Sequence, residues 1–210
     1  MRIGTWNLEG RWTSAHRTFL AGLECDVLLL TEVRSDVELH GYWRHLTAAP
    51  MQPGHAWAGV LSRSPLDARA DPHPASALAT GEGMGYCSSV LPWRSSGTRP
   101  PWSSGTVGDR VDAVLDCLRA RLAMPLVWGG DFNHALEGPE RAGSQAGRAS
   151  IRALLDELGL TAVTTSLPHR LGGSTVDHIA VASSATVNAV AQRDARTLSD
   201  HDAYVVDLDL

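Results

Sequence analysis

The chain has 210 residues, which is enough for one domain with a substantial core, and we predict a single domain over residues 1–210. Its 18 basic residues are all arginine and are outnumbered by 23 acidic residues, so the formal charge is −5. This balance argues against extensive non-specific binding to duplex nucleic acid, and the absence of lysine excludes lysine-based catalysis.

The cysteines and the apolar segments bear on the compartment. Cys25, Cys87 and Cys117 are far apart in or beside apolar runs and lack metal-type spacing, so we predict buried free thiols in a reducing compartment. A strand predicted from Arg2 leaves no room for a signal peptide, and no apolar run approaches the roughly 20 residues of a membrane span. We expect a cytoplasmic monomer with no membrane partner.

The N-terminal segments predict two strands that lead into polar residues. Arg2–Leu8 alternates enough to form a strand and has Asn7 at its end. A helix is predicted over 14–23. The apolar run 26–30 is typical of a strand buried on both faces, and it leads into Glu32. A carboxylate that closes such a strand is costly without a partner or a metal.

The middle of the chain gives weaker signals. Three segments predict strands: 43–47, 57–62 and 86–91. The stretch 67–85 is rich in Ala, Pro and Gly and is left unassigned. The stretch 93–108 is rich in Ser, Gly and Pro and predicts a long surface loop. Its residues Trp93 and Trp102 could stack on a base, but we favour tryptophans without that role, exposed or half-buried.

The C-terminal half combines helices and strands. An apolar stripe predicts a helix over 107–122, and a short buried strand at 126–130 ends in Asp131 and Asn133. A second amphipathic helix is predicted over 147–158. Four further segments read as extended: 161–164, 176–182, 185–191 and 204–208. About eight to ten strands with three helices, not in strict βαβ order, favour a layered α/β sandwich.

The strongest local signal is a polar cluster before the last strand. Ser199, Asp200 and His201 precede the apolar run 204–208, where a turn needs only one Asp or Ser. An acid beside an imidazole suits a metal-assisted site, and a solvated turn is the alternative. Seven polar residues share such positions at predicted strand ends: Asn7, Glu32, Asp131, Asn133, Asp177, Asp200 and His201.

The residue types in this set suit two tasks. Glu32 and Asp200 are hard oxygen ligands of the kind that Mg²⁺ or Mn²⁺ prefers. Asn7 and Asn133 could hold a phosphate oxygen without adding negative charge, although each in isolation could be a turn former. These four residues predict a metal site together with uncharged side chains that contact the phosphate.

The remaining members suit proton transfer. Asp131 could orient and deprotonate a water molecule, and Asp177 could hold the tautomer of His201 and stabilise its charged form. Together with the metal ligands they predict metal-assisted attack of water on phosphorus. We interpret His134 and His178 as structural. Six further histidines show no ligand spacing: His16, His40, His45, His55, His73 and His169.

Five segments carry a resemblance to a known family: Thr5–Asn7, Leu30–Val33, Gly129–Asn133, Val176–Ile179 and Ser199–His201. In this order, over nearly the whole chain, they resemble motifs of the endonuclease/exonuclease/phosphatase superfamily, the metal-dependent phosphoesterases that include the DNase I-like enzymes. Residues 60–66 also resemble the family's middle hairpin. The resemblance implies a four-layer α/β sandwich of two packed mixed sheets flanked by helices, with the site where the sheets meet.

The resemblance also implies roles for individual positions. Glu32 would bind the metal, with Asn7 and Asp200 helping to form that site. Asp131 would activate the water and Asn133 would hold the phosphate. The final motif implies a histidine that contacts the phosphate in the transition state, namely His201 paired with Asp177.

Two positions depart from the family pattern. Thr31 stands where the family usually has Gln before the metal-binding Glu. Many members carry a His or Tyr, which contacts the phosphate or assists the leaving group, where this chain has residues 90–92 (Val-Leu-Pro). Arg94 and Tyr86 are candidates to supply that help. The departure leaves the leaving-group class open.

The sequence therefore predicts Mg²⁺-dependent hydrolysis of a phosphate ester, by a phosphodiesterase, nuclease or phosphatase. The alternative is a catalytically silent binding module that keeps the fold. Nucleic acid is a candidate substrate, but the acidic charge and the lack of a basic stripe argue against a duplex-binding repair enzyme.

Overall fold

The computed structural model describes residues 1–170, 172–195 and 197–209, and within them lie thirteen strands and three helices. The strands are β1 (Arg2–Asn7), β2 (Val27–Arg34), β3 (Trp43–Leu46), β4 (Pro50–Gln52), β5 (His55–Ser62), β6 (Asp67–Ala68), β7 (Ser76–Gly81), β8 (Met84–Val90), β9 (Leu126–Asp131), β10 (Leu160–Ala162), β11 (Asp177–Ala182), β12 (Thr186–Arg193) and β13 (Ala203–Asp209). The helices are α1 (Ser14–Gly22), α2 (Val107–Arg119) and α3 (Gln145–Glu157).

The strands form two mixed sheets. The first has the order β12-β13-β1-β2-β5-β3, with β4 also paired to β5. In this sheet β1 and β2 are parallel, and β1 pairs antiparallel with β13. The second sheet has the order β10-β11-β9-β8-β7-β6, in which β8 and β9 are parallel and β9 and β11 antiparallel.

The two sheets pack face to face, and helices cover their outer faces. Strand β2 shows why its apolar run is continuous: Leu28 and Leu30 pack against α1, whereas Leu29 packs toward the second sheet. Helices α2 and α3 cover the other side of the second sheet, around Trp128. The layers are therefore helix, sheet, sheet and helices, which confirms the predicted α/β sandwich.

Capping residues set where α2 and α3 begin. Thr106 and Asp109 form a reciprocal capping box, in which the Asp109 carboxylate accepts from the Thr106 backbone at 2.7 Å. Ser144 Oγ accepts from the Gly147 backbone at 3.0 Å. Helix α3 consequently begins at Gln145, earlier than the predicted position 147, because the caps satisfy the first free amides.

The unassigned stretch 67–85 contains β6, β7 and the start of β8. Ala77 and Ala79 on β7 are fully buried in the core between the two sheets, whereas Leu78 faces the helices. Small residues suit this strand because the facing sheet lies close. Their low β-propensity concealed the strand in the sequence.

The prediction of a surface loop over 93–108 was wrong for Trp102. Its side chain is only 5% exposed and packs edge-on against Trp57 at 5.2 Å and stacked on His73 at 5.8 Å, measured between ring centroids. The loop is irregular but is anchored by this ring in the core under α2.

The cysteine prediction held in part. Cys25 and Cys87 are buried free thiols, whereas Cys117 is exposed on α2, which corrects the expectation for that residue. No helix among the described residues is both long and apolar enough to cross a bilayer.

Candidate active site

Adjacent strands from both sheets bring the predicted residues together. In the first sheet Asn7 on β1 stands in register with Thr31 on β2, directly before Glu32. In the second sheet Asp131 on β9 stands opposite Asp177 on β11. Asn7 Nδ2 donates to Asp131 Oδ2 at 3.0 Å. This bond joins the two sheets, so the site lies at their junction.

Asn7 connects the acid-bearing segments around it. The residue is buried, and its Oδ1 accepts from the Glu9 backbone at 2.9 Å. Its side-chain amide also acts on the Glu32 carboxyl, whose pKa it lowers. Its backbone carbonyl accepts from Ser199 Oγ at 2.7 Å, which fixes the segment that carries Asp200. The Asn7 side chain therefore orients the Asp131 carboxylate and influences that of Glu32.

Backbone conformation marks the same site. Within the part of the chain that the structure describes, five non-glycine residues have positive φ, and two of them lie beside the end of α1 and in the β7–β8 turn. The other three are at the site: Glu9 (51°), Glu32 (51°) and Asn133 (53°). Glu32 lies inside β2 rather than at its end. Such conformations cost about 1–3 kcal/mol each and tend to cluster where function requires them.

The site holds a concentration of negative charge. Burial is the largest cause that raises the pKa of Glu32 above its ordinary value; the charges of Asp200 and Glu9 add to it, while the Asn7 hydrogen bond opposes it. Burial and then the charge of Asp177 raise the pKa of Asp131 to about 7. Carboxylates destabilised in this way favour a bound cation, so the donor set fits a hard divalent metal.

His201 supplies the cationic group of the cluster. Its Nδ1 lies 2.7 Å from Oδ2 of the fully buried Asp177. Burial alone lowers the pKa of His201, but the charges of Asp177 and Asp131 outweigh burial and raise that pKa well above its ordinary value. Ser199 Oγ accepts from the His201 backbone at 3.1 Å, and Trp6 Nε1 donates to its carbonyl at 3.0 Å. Asp177 therefore fixes the imidazole, and the two other hydrogen bonds fix the backbone that carries it.

Asn133 lies between Asp131 and residues 90–92, the segment that lacks the His or Tyr of the family pattern. Its backbone donates to Asp131 Oδ1 at 2.9 Å, and its Nδ2 donates to the carbonyl of Leu91 at 3.1 Å. Val90 and Leu91 are fully buried, so that segment offers the site a backbone carbonyl rather than a side chain.

Arg94 and Tyr86, the candidates to replace the missing His or Tyr, make contacts elsewhere in the protein. The Arg94 guanidinium donates to the carbonyl of Gly143 at 3.3 Å, which ties together two loops. Tyr86 pairs in register with Val127, toward the other end of β9 from Asp131, and its hydroxyl lies 3.9 Å from Met1 Sδ. Tyr86 is thus remote from the cluster.

A cavity of about 280 Å³ opens beside Asn133 and His201. Its wall includes Arg141, Ser174 and His169. The His169 ring stands perpendicular to the His201 ring, with 5.6 Å between their centroids. The cavity gives a substrate group access to the cluster.

Sequence reasoning missed two members of this neighbourhood. Glu9 accepts a hydrogen bond from the Asp200 backbone at 3.0 Å through its Oε2. The available signal was an acid two positions after Asn7 at the same strand end. His169 carries no such signal, because a hairpin in the connection before β11 brings it to His201.

The comparisons with known proteins agree with this architecture. A model of the Endonuclease/Exonuclease/phosphatase family matches residues 4–201. A solved structure of a substituted 3′ phosphatase NExo from Neisseria, bound to product DNA hairpin, is 20% identical, with coverage of 100% of each chain and a TM-score of 0.75. No curated protein matches the chain.

Two further solved structures show the same fold. The endonuclease domain of TRAS1, a telomere-specific non-LTR retrotransposon, is 16% identical, with coverage of 100% of this chain and 98% of that one and a TM-score of 0.69. The AP endonuclease LMAP from Leishmania major is 15% identical, with coverage of 98% and 86% and a TM-score of 0.68.

Proposed function

The chain belongs to the endonuclease/exonuclease/phosphatase family, whose members are phosphoester hydrolases, and from this membership we propose that it hydrolyses a phosphate ester with Mg²⁺ or Mn²⁺. The observation that carries the proposal is the pair of contacts at the sheet junction, Asn7 to Asp131 and Asp177 to His201. A silent binding module has no need to keep a buried, mutually repelling set of acids in this arrangement.

Asp131 is the residue we propose to orient and deprotonate the attacking water. The Asn133 backbone holds its Oδ1 and the Asn7 amide holds its Oδ2, so the carboxylate plane is fixed. Each carboxylate oxygen retains a further lone pair that can accept from water. Asn133 lines the cavity next to Asp131, and we propose that its side chain contacts a phosphate oxygen.

His201 is the residue we propose to donate to the phosphate as negative charge develops on it. Asp177 acts as its positioning residue, because its hydrogen bond to Nδ1 leaves Nε2 free to face the substrate. Nε2 lies 3.9 Å from Asp200 Oδ1, so the donor faces the side of the site where a cation would stand.

Glu32 would hold the metal, with Asn7 and Asp200 helping to form that site. When bound, the ion would polarise the phosphoryl group and stabilise the leaving oxygen. Glu9 adds a carboxylate beside Asp200. The substrate is an accessible phosphate ester, with nucleic acid as one class, because the solved neighbours include a phosphatase bound to DNA and two endonucleases.

Hydrolysis of a substrate panel tests this function. The panel contains bis(p-nitrophenyl) phosphate, p-nitrophenyl phosphate, single-stranded and duplex DNA, and RNA, each with Mg²⁺, Mn²⁺ or chelator. Wild type should release product only with metal, and Asp131→Asn, which keeps the shape of the side chain, should be inactive. No metal-dependent hydrolysis of any substrate by wild type would favour the silent binding module, whereas equal rates for an active wild type and Asp131→Asn would remove Asp131 from its proposed role.

A further inference from the structure

Three metal-binding side chains meet on the cavity side of His201. His169, Asp177 and His201 each offer one ligand atom, and these atoms all lie within 4.8 Å of one another. The acids around Glu32 form an all-oxygen donor set, whereas this group has two imidazoles and one carboxylate. Imidazole-rich sets suit Zn²⁺ and similar ions rather than Mg²⁺.

One carboxylate oxygen of Asp177 accepts no hydrogen bond from the part of the chain that the structure describes. Its Oδ2 is bonded to His201, but its Oδ1 is buried and has no hydrogen-bond partner among the described residues. An unpaired carboxylate oxygen inside a protein is costly. A cation held by the Asp177 carboxylate would offset that cost.

The segments that carry the two imidazoles are held to each other. The hairpin around His169 is closed by its own backbone, whose amide donates to Gly173 at 2.9 Å. Arg170 donates to the carbonyl of Ser199, which joins this hairpin to the segment that carries His201. The two ligands therefore belong to one local unit, which reduces the ordering cost of binding an ion.

The cavity of about 280 Å³ provides both access and an open position. His169 and His201 both line it, so an ion can enter from solvent and keep a water or a phosphate oxygen as its next ligand. Ligand atoms around tetrahedral zinc stand about 3.4 Å apart, so a small rotation of the His169 side chain closes the site.

We propose that His169, Asp177 and His201 form a second metal site, selective for Zn²⁺ or a similar imidazole-preferring ion, whose occupation inhibits the enzyme. The ion takes the electron pairs of His201 and Asp177 that now share a proton, and that proton passes to solvent. His201 keeps its Nε2 proton but loses the Asp177 hydrogen bond that positions that proton toward the phosphate. The inhibition rests on the proposed hydrolysis; the metal site does not.

Calorimetry with Zn²⁺ in excess Mg²⁺ tests the site. Wild type and Glu32→Gln should each bind one Zn²⁺ per chain, because Glu32 is outside the second site. His169→Gln should bind it at least tenfold more weakly, the scale seen when a metal site loses support. His40→Gln is the matched control, since His40 is exposed and outside the cavity. Equal affinity in His169→Gln and His40→Gln would overturn the assignment.

Two further readouts separate the possible failures. Co²⁺ bound to wild type should give the visible absorption of a site with nitrogen ligands, and His169→Gln should lose it while its Mg²⁺ affinity stays unchanged. If wild type hydrolyses nothing, the proposed function fails, yet the binding measurements still decide the metal site. If His169→Gln slows Mg²⁺-dependent hydrolysis without changing Zn²⁺ affinity, His169 is a substrate contact and the metal site is rejected.

Discussion

Two histidine–aspartate pairs in this protein have similar contacts and different surroundings. His45 Nε2 lies 3.0 Å from Asp71 Oδ1, and His201 Nδ1 lies 2.7 Å from Asp177 Oδ2. The second oxygen of Asp71 accepts from the Ala48 backbone at 2.7 Å, whereas that of Asp177 has no hydrogen-bond partner among the described residues. The first pair is satisfied and joins a loop to β3. Within the described residues, the second pair has an unpaired carboxylate oxygen and lies beside a cavity, which is typical of a reactive group.

Removing each histidine provides the sharpest test of this contrast. His201→Ala should reduce kcat by roughly a hundredfold or more, the scale of one lost transition-state donor. Asp177→Asn should also lower kcat. The loss of kcat in the double variant should be smaller than the combined losses of the single variants, because the two residues act as a unit. Steady-state kinetics with the best substrate of the panel measures all three. Full activity in His201→Ala would require the mechanism to be rebuilt around Asp131.

Measurements of Mg²⁺ affinity distinguish the role of the His201–Asp177 pair from that of Glu32. Glu32→Ala should weaken Mg²⁺ binding by roughly 10–100-fold, while His201→Ala should leave it near wild type, because the role proposed for His201 is to donate to the phosphate and not to hold Mg²⁺. Calorimetric titration of both variants, with Asp71→Asn as the control acid, measures the difference. Unchanged Mg²⁺ affinity in Glu32→Ala would remove that residue from the metal site.

A histidine without an acid partner extends the comparison. Burial lowers the pKa of His73 to about 4, against a backbone hydrogen bond. Its folded pKa is therefore below the unfolded value, so the unfolded chain binds more protons and stability falls as the pH drops from about 6.5 toward 4. The expected loss from this group between pH 7 and pH 5 is about 2 kcal/mol. Urea unfolding at both pH values should show a smaller loss in His73→Asn, and equal losses would contradict this.

The smallest effect is expected at the satisfied pair. His45→Ala should lower the free energy of unfolding by about 1 kcal/mol through one lost hydrogen bond, and should leave kcat unchanged. Chemical unfolding and kinetics on the same preparation measure both. A drop in kcat comparable to that of His201→Ala would show that the contrast between the two pairs is false.

Much of the fold was accessible from the sequence. Apolar periodicity placed β2, β9 and all three helices, and polar residues at strand ends placed Asn7, Asp131 and Asp177 together, as the structure finds them. The missed strand β7 is lined by alanines, whose size suits a gap between sheets that the sequence does not show. The roles of the individual site residues remain predictions.

Long-range proximity explains what the sequence could not give. Trp102 was assigned to a surface because its neighbours in sequence are turn formers, whereas its neighbours in space are Trp57 and His73. His169 was set aside for lack of ligand spacing, yet it meets His201 across two connections. A chain position far from its partner gives no local pattern, so only the folded arrangement reveals such pairs.

The hydrogen bond from Asn7 to Asp131 would make the proposed hydrolysis depend on the spacing between two separate sheets. Ala77 and Ala79 line the gap between those sheets on β7, two strands from β9, which carries Asp131. A bulkier side chain there would act as a wedge, and turnover would register the change in width although no reacting group had been altered. The rate of the proposed hydrolysis would thus report the distance between the two sheets.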